Sequence, residues 1–191
     1  MNRALRILFF SLALPMLGHA GEAPLPDAAE AQDAKRIRQL LQSQADIDAK
    51  QVDGMTALHW AAYHDNAKLG SLLLKKGATA SAENRYGITS MHLACLNGNA
   101  QFIGALIKHG TDPDSSILGG ETALMTAART GKPEAVEVLL HAGVKVDAKD
   151  RNGQTAVMWA AAEGHTSVVR ALVEAGADFN LSLERSGFTA F

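Results

Sequence analysis

Among the side chains that could do chemistry, His59 and His92 come first, because they stand at equivalent places 33 residues apart. On helices packed at ordinary spacing they would lie about 10 Å from each other. That is too far to share one metal ion, whose ligands approach to about 2 Å. Met125 and Met158 occupy the next two equivalent places, and neither continues a ligand set. His92 and Cys95 are three apart and would share a helical face, an arrangement that suits a nucleophile and its base. Cys95, however, stands where Ala62, Ala128 and Ala161 stand, which marks a tightly packed, inert thiol. The competing expectation of a hydrolase or metal-dependent enzyme therefore rests on His59, His92 and Cys95 alone. His109 and His141 fall near the ends of helices, where imidazole stabilises exposed carbonyls. The acid pairs Asp46–Asp48 and Asp147–Asp150 fall in loops, and Gly119–Gly120 lacks the lysine of a phosphate loop. No catalytic residue, metal or cofactor is expected.

What positions these residues is a repeat. Gly54, Gly87, Gly120 and Gly153 are spaced by 33 residues, and each is followed two positions later by a threonine: Thr56, Thr89, Thr122 and Thr155. Gly77, Gly110, Gly143 and Gly176 keep the same step, each behind an apolar pair such as Leu73–Leu74. Two combs of different residues at one period indicate a stacked repeat array with a continuous core. Within a copy, Ala57 to His64 reads as a short helix that Thr56 can cap. Ala67 to Lys76 reads as a second helix that Gly77 can close in a left-handed conformation. A loop of about ten residues leads to the next copy.

The segments G-x-T-A-L-H-x-A-A at Gly54–Ala62, G-I-T-S-M-H-L-A-C at Gly87–Cys95 and L-L-x-x-G-A at Leu73–Ala78 resemble the ankyrin repeat. The resemblance covers the chain from Gly21 onward. It implies an all-α solenoid of stacked helix-turn-helix units with protruding turns, and a structural role for the histidine. The expected division is a degenerate amino-terminal capping repeat at 21–52, four repeats at 53–85, 86–118, 119–151 and 152–186, and the start of another at 187–191. Asp65 and Gln32 replace the bend glycines Gly98, Gly131 and Gly164, so those two bends are expected to adopt another geometry. Pro113 and Ser115–Ser116 mark the third loop as irregular. The chain stops shortly after Gly187 and Thr189, which suggests a fragment or a folded-back tail.

The resemblance also implies a non-enzymatic protein-binding module. Its partner-facing positions, carried over residue by residue, are Met55, Tyr63, His64, Arg85, Tyr86, Ile88, Asn97, Arg129, Arg151 and Glu163, with Val52 beside them. These letters vary between copies while the framework does not. Small exported bacterial ankyrin proteins look like this, and some are thought to support a periplasmic enzyme or neutralise a toxin. A protein partner and a monomeric chain are expected.

The composition agrees with that reading. Hydrophobic residues make up 47% of the chain and aromatic ones 5%, as suits helices that approach closely through small side chains. Arg3 and Arg6 precede an apolar run from Ile7 to Leu17, with Gly18 and Ala20 after it. This is the pattern of a secretory signal peptide at 1–20, too short in its apolar part to span a bilayer. A periplasmic or secreted protein with no membrane anchor after cleavage is expected. Removing those residues takes two arginines and no acids, leaving 16 Lys and Arg against 20 Asp and Glu, a net charge of −4. Such a balance argues against a nucleic-acid partner. Cys95, alone of its kind, offers no intramolecular disulfide, so stacking must supply the stability. Amino-terminal sequencing of the exported protein is expected to begin at Gly21, and a chain still beginning at Met1 overturns the export reading.

Overall fold

The computed structural model describes residues 23–180. The signal peptide expected at 1–20 and the partial copy at 187–191 lie outside them. Among the described residues ten helices pair in sequence: α1 (Pro24–Glu30) with α2 (Ala34–Gln42), α3 (Ala57–Tyr63) with α4 (Ala67–Lys75), α5 (Ser90–Asn97) with α6 (Ala100–Lys108), α7 (Ala123–Thr130) with α8 (Pro133–His141), and α9 (Ala156–Ala162) with α10 (Thr166–Glu174). First helices pack on first helices along the stack, and α4, α6, α8 and α10 pack in turn on one another. The result is an all-helical solenoid.

The local causes are repeated as faithfully as the letters. The hydroxyls of Thr56, Thr89 and Thr122 accept the backbone N–H three residues on, capping α3, α5 and α7. Thr155 occupies the same place without such a bond. In the spine of the stack, Ala28, Ala61, Ala94, Ala127 and Ala160 form one column, all buried. With only a methyl group at each contact, first helices can approach closely. The second helices present larger side chains to the same core: Leu73, Leu106, Leu139 and Leu172 are each fully buried.

Two expectations about the turns fail in the same direction. Gln32 and Asp65 keep the left-handed geometry of the glycine bends, at φ 54° and 56° against 70° at Gly98 and 71° at Gly131. Helix packing dictates the bend, and the side chains gain partners in return. Gln32 Nε2 bonds His64 Nδ1, and Asp65 Oδ1 accepts from Asn99 Nδ2. The glycine at Gly131 answers a different need, since a Cβ there would stand 2.4 Å from the His165 ring. The third loop is likewise regular despite Pro113. Ile117 N–H donates to the Glu121 carbonyl, and Gly120 N–H to that of Ile117. The same two bonds tie Asn84 to Ile88 and Gly87 to Asn84. Hydrogen bonding of the backbone, not side-chain identity, defines the loop.

Gln44 adopts φ 56° where Gly77 and Gly110 stand in later copies. A left-handed non-glycine residue costs roughly 1–2 kcal/mol, and glycine returns about 0.4–1 kcal/mol of that through the unfolded chain. Gln44→Gly is expected to stabilise the protein by about 0.5–1 kcal/mol, read as a higher urea midpoint at unchanged slope. A lower midpoint contradicts the strain at this position.

Candidate functional site

The histidine, threonine and turn form a closed unit. His59 Nδ1 lies 2.8 Å from Thr56 Oγ1 and accepts the Thr56 N–H at 3.2 Å, while Nε2 donates to the Ile88 carbonyl of the next copy at 3.0 Å. His59 is thereby a strut between neighbouring repeats. His92 repeats the bond to Thr89 at 2.9 Å. Its Nε2 is buried without a well-formed bond, near enough to the Glu121 and Ser115 carbonyls to feel them. Burial lowers the pKa of both rings, offset in part by the Ile88 carbonyl at His59 and by the Glu121 charge at His92. Met125 fills the same place in the following copy, its sulfur 3.4 Å from the Thr122 N–H.

Nothing in this unit resembles a reaction centre. Cys95 is fully buried, and desolvation pushes its thiol far above the ordinary range, so it cannot supply the thiolate a nucleophile needs. Among the described residues, no three His, Cys, Asp or Glu side chains converge as a metal site. No helix among them is long and apolar enough to cross a membrane. His109, expected to serve exposed carbonyls, does so: its Nδ1 donates to the Ala105 carbonyl at 2.8 Å.

The expected partner-facing residues divide into three groups. Met55 is buried, its sulfur against Asn84 Nδ2; lying between Gly54 and the capping threonine, it turns inward, which corrects its assignment to the surface. Ile88 is half-buried and packs against the core. His64 and Asn97 are occupied within the chain. His64 Nε2 donates to the Glu30 carbonyl at 2.9 Å while its Nδ1 accepts from Gln32. Asn97 Nδ2 donates to the carbonyls of Ala62 and Tyr63. Both residues thus staple one first helix to the end of the preceding one.

Tyr63, Arg85, Tyr86, Arg151 and Glu163 remain exposed. Tyr63 stands edge-on to Trp60 and His64, at 5.4 and 5.2 Å between ring centres. Arg85 reaches the Val52 carbonyl and lies 5.8 Å over the Tyr86 ring. Arg129 is mostly covered, paired with Glu121 at 2.8 Å and stacked 5.6 Å over Trp159. Thr126 Oγ1 also donates to that Glu121 carboxylate. The tips add one residue that sequence reasoning left aside: Leu118 is 78% exposed, against 87% for Val52. Its register gave it away, since Val52, Arg85, Leu118 and Arg151 share one place in successive copies.

Since His59 and His92 are kept neutral by burial, they oppose folding once the unfolded rings charge. The stability they contribute is present above pH about 6.5 and is lost as pH falls below it toward their lowered folded values, with a slope of at most about 1.4 kcal/mol per pH unit for each. The double variant His59→Met, His92→Met, which copies the solution found at Met125 and Met158, is expected to lose less stability than the parent between pH 7.5 and 5.5 in urea titrations. Identical losses would remove these rings as the cause.

Comparison with known proteins agrees with the architecture. The family model described as "Ankyrin repeats (3 copies)" matches residues 25–117 and 109–182. No curated protein matches the chain. Ankyrin repeats are generally protein–protein interaction modules and typically not enzymes. With the capped helix pairs, the His59 strut and a family match over most of its length, this chain belongs to the ankyrin-repeat family.

Proposed function

We propose that this protein is an exported, non-enzymatic scaffold that binds a periplasmic partner protein as a monomer, supporting an enzyme or neutralising a toxin. The observation that carries the reading is the set of large side chains displayed along the turns and first helices. Val52 and Leu118 are almost wholly exposed at the tips, and Tyr63 and Tyr86 are exposed by more than a third. Apolar surface presented in one region favours a protein partner. Tyrosine and arginine contribute disproportionately to interface energies. Export is supported by the arginine-flanked apolar run at 1–20 and its small-residue exit, and a protein partner over nucleic acid by the net charge of −4 without residues 1–20.

The docking patch is accordingly Tyr63, Arg85 and Tyr86 with Val52 and Leu118, flanked by Arg151 and Glu163. His64 and Asn97 support it from beneath, and Arg129 enters only if Glu121 releases it. Capture from periplasmic extract on the mature protein, with mass spectrometry, identifies the partner. Tyr63→Ala and Tyr86→Ala are then each expected to weaken binding about tenfold or more, equivalent to at least about 1.4 kcal/mol. Tyr86→Ala should change folding stability by less than about 0.5 kcal/mol, and Tyr63→Ala by up to about 1 kcal/mol because of its ring contacts. Unchanged affinity in both variants excludes this patch.

A further inference from the structure

At the later junctions the second helices meet through a small residue against a large one or through two valines, and at the first junction both partners are large. Facing positions in successive copies are Gly70 and Phe102, Ile103 and Ala135, Val136 and Val168. Phe102 sits so close over Gly70 that a Cβ there would fall 2.1 Å from its ring. At the first junction the pair is Ile37 and Leu69, large against large. There the backbones of α2 and α4 stand further apart than those of any later pair of second helices. Between them a trough of about 410 Å³ opens to solvent, lined by Ala34, Ile37, Trp60, Leu69 and Leu72 together with the polar His64. Leu72 is 39% exposed.

The rim carries Arg38 and Lys68 and no acid. Neither cation forms a salt bridge among the described residues; Arg38 uses only its Nε, on the Ala34 carbonyl. The acids nearest in sequence are engaged elsewhere. Asp33 accepts the Lys35 and Arg36 N–H groups at the start of α2, and Asp65 is held by Asn99. In a chain with net negative charge, this is an apolar trough with a positive edge.

We propose that the trough docks an acidic amphipathic helix of a partner protein, its apolar face between α2 and α4 and its carboxylates at Arg38 and Lys68. Such a helix would restore the contact that every later pair of second helices makes, by the helix-in-groove mode. An open trough covers one side of its occupant, whereas small-molecule sites enclose most of the ligand. The trough borders the Tyr63 ring cluster through Trp60 and His64, but Tyr86 and the turn tips do not line it, and it holds whether or not those residues bind anything.

The test is nuclear magnetic resonance on the mature protein, following the indole N–H of Trp60 with that of Trp159 as internal control. The probe is a synthetic helix of about 15 residues built from leucine, alanine and glutamate, and its counterpart carries lysine in place of glutamate. The glutamate peptide is expected to shift the Trp60 signal and leave Trp159 unmoved. Arg38→Glu with Lys68→Glu should weaken it at least tenfold and admit the lysine peptide instead, with the circular dichroism unchanged. Tyr86→Ala, which touches no residue of the trough, should leave the peptide affinity unchanged. An unmoved Trp60 signal at millimolar peptide overturns the proposal, as does equal binding of the lysine peptide to the parent. Binding of decanoate without binding of the peptide also overturns it, by making the trough a small-amphiphile site.

Discussion

Everything in this molecule depends on how closely first helices can approach. The alanine column from Ala28 to Ala160 sets that distance, because a methyl group at each crossing leaves the backbones nearly in contact. Second helices carry leucine, isoleucine and phenylalanine into the same core and stand further apart. The difference makes each pair a wedge and presents the first-helix ends and turns together. It also explains why no copy can stand alone: the apolar surface of each pair is completed by its neighbours. Cross-copy polar bonds then fix the register. Arg85 N–H donates to the Asp53 carbonyl and Arg151 N–H to that of Gly119, while Asp48, Asp114 and Asp147 each accept from the loop of the copy that follows.

The buried histidines show how an array tolerates polar residues at such a spacing. His59 spends both ring nitrogens on backbone or hydroxyl partners and so costs little. His92 leaves one nitrogen poorly served, and the two later copies have given up the ring for methionine. In two of the copies the side chain at this place accepts the threonine N–H at the start of the helix, His59 through Nδ1 and Met125 through its sulfur. At Met125 sulfur does this weakly.

Much of the fold was legible because it is written several times. The 33-residue combs of glycine and threonine located the helices to within one residue of Tyr63 and Lys75, and Cys95 was placed in the core by the alanines at its equivalents. What misled was reading a changed letter as a changed shape. Gln32, Asp65 and the third loop all keep the common backbone, since packing and main-chain hydrogen bonds outweigh the roughly 1–2 kcal/mol preference of a single residue. The proposed docking face was legible only as a set of positions. That Met55 turns inward, and that His64 and Asn97 are consumed by neighbouring carbonyls, depends on distances between copies that no single repeat contains. The trough between α2 and α4 depends on the pairing of Ile37 with Leu69 across a junction, a relation invisible along either helix alone.

The two staples, His64 and Asn97, have a consequence for recognition although both are already engaged within the chain. By holding the Glu30, Ala62 and Tyr63 carbonyls and bracing the Tyr63 ring between Trp60 and His64, they settle the posture of the exposed face before anything arrives. Ordering a side chain on association costs about 0.5–1.5 kcal/mol. Here that entropy has already been lost in folding, so a partner docking on the proposed face would meet a pre-organised surface and keep more of its contact energy as affinity.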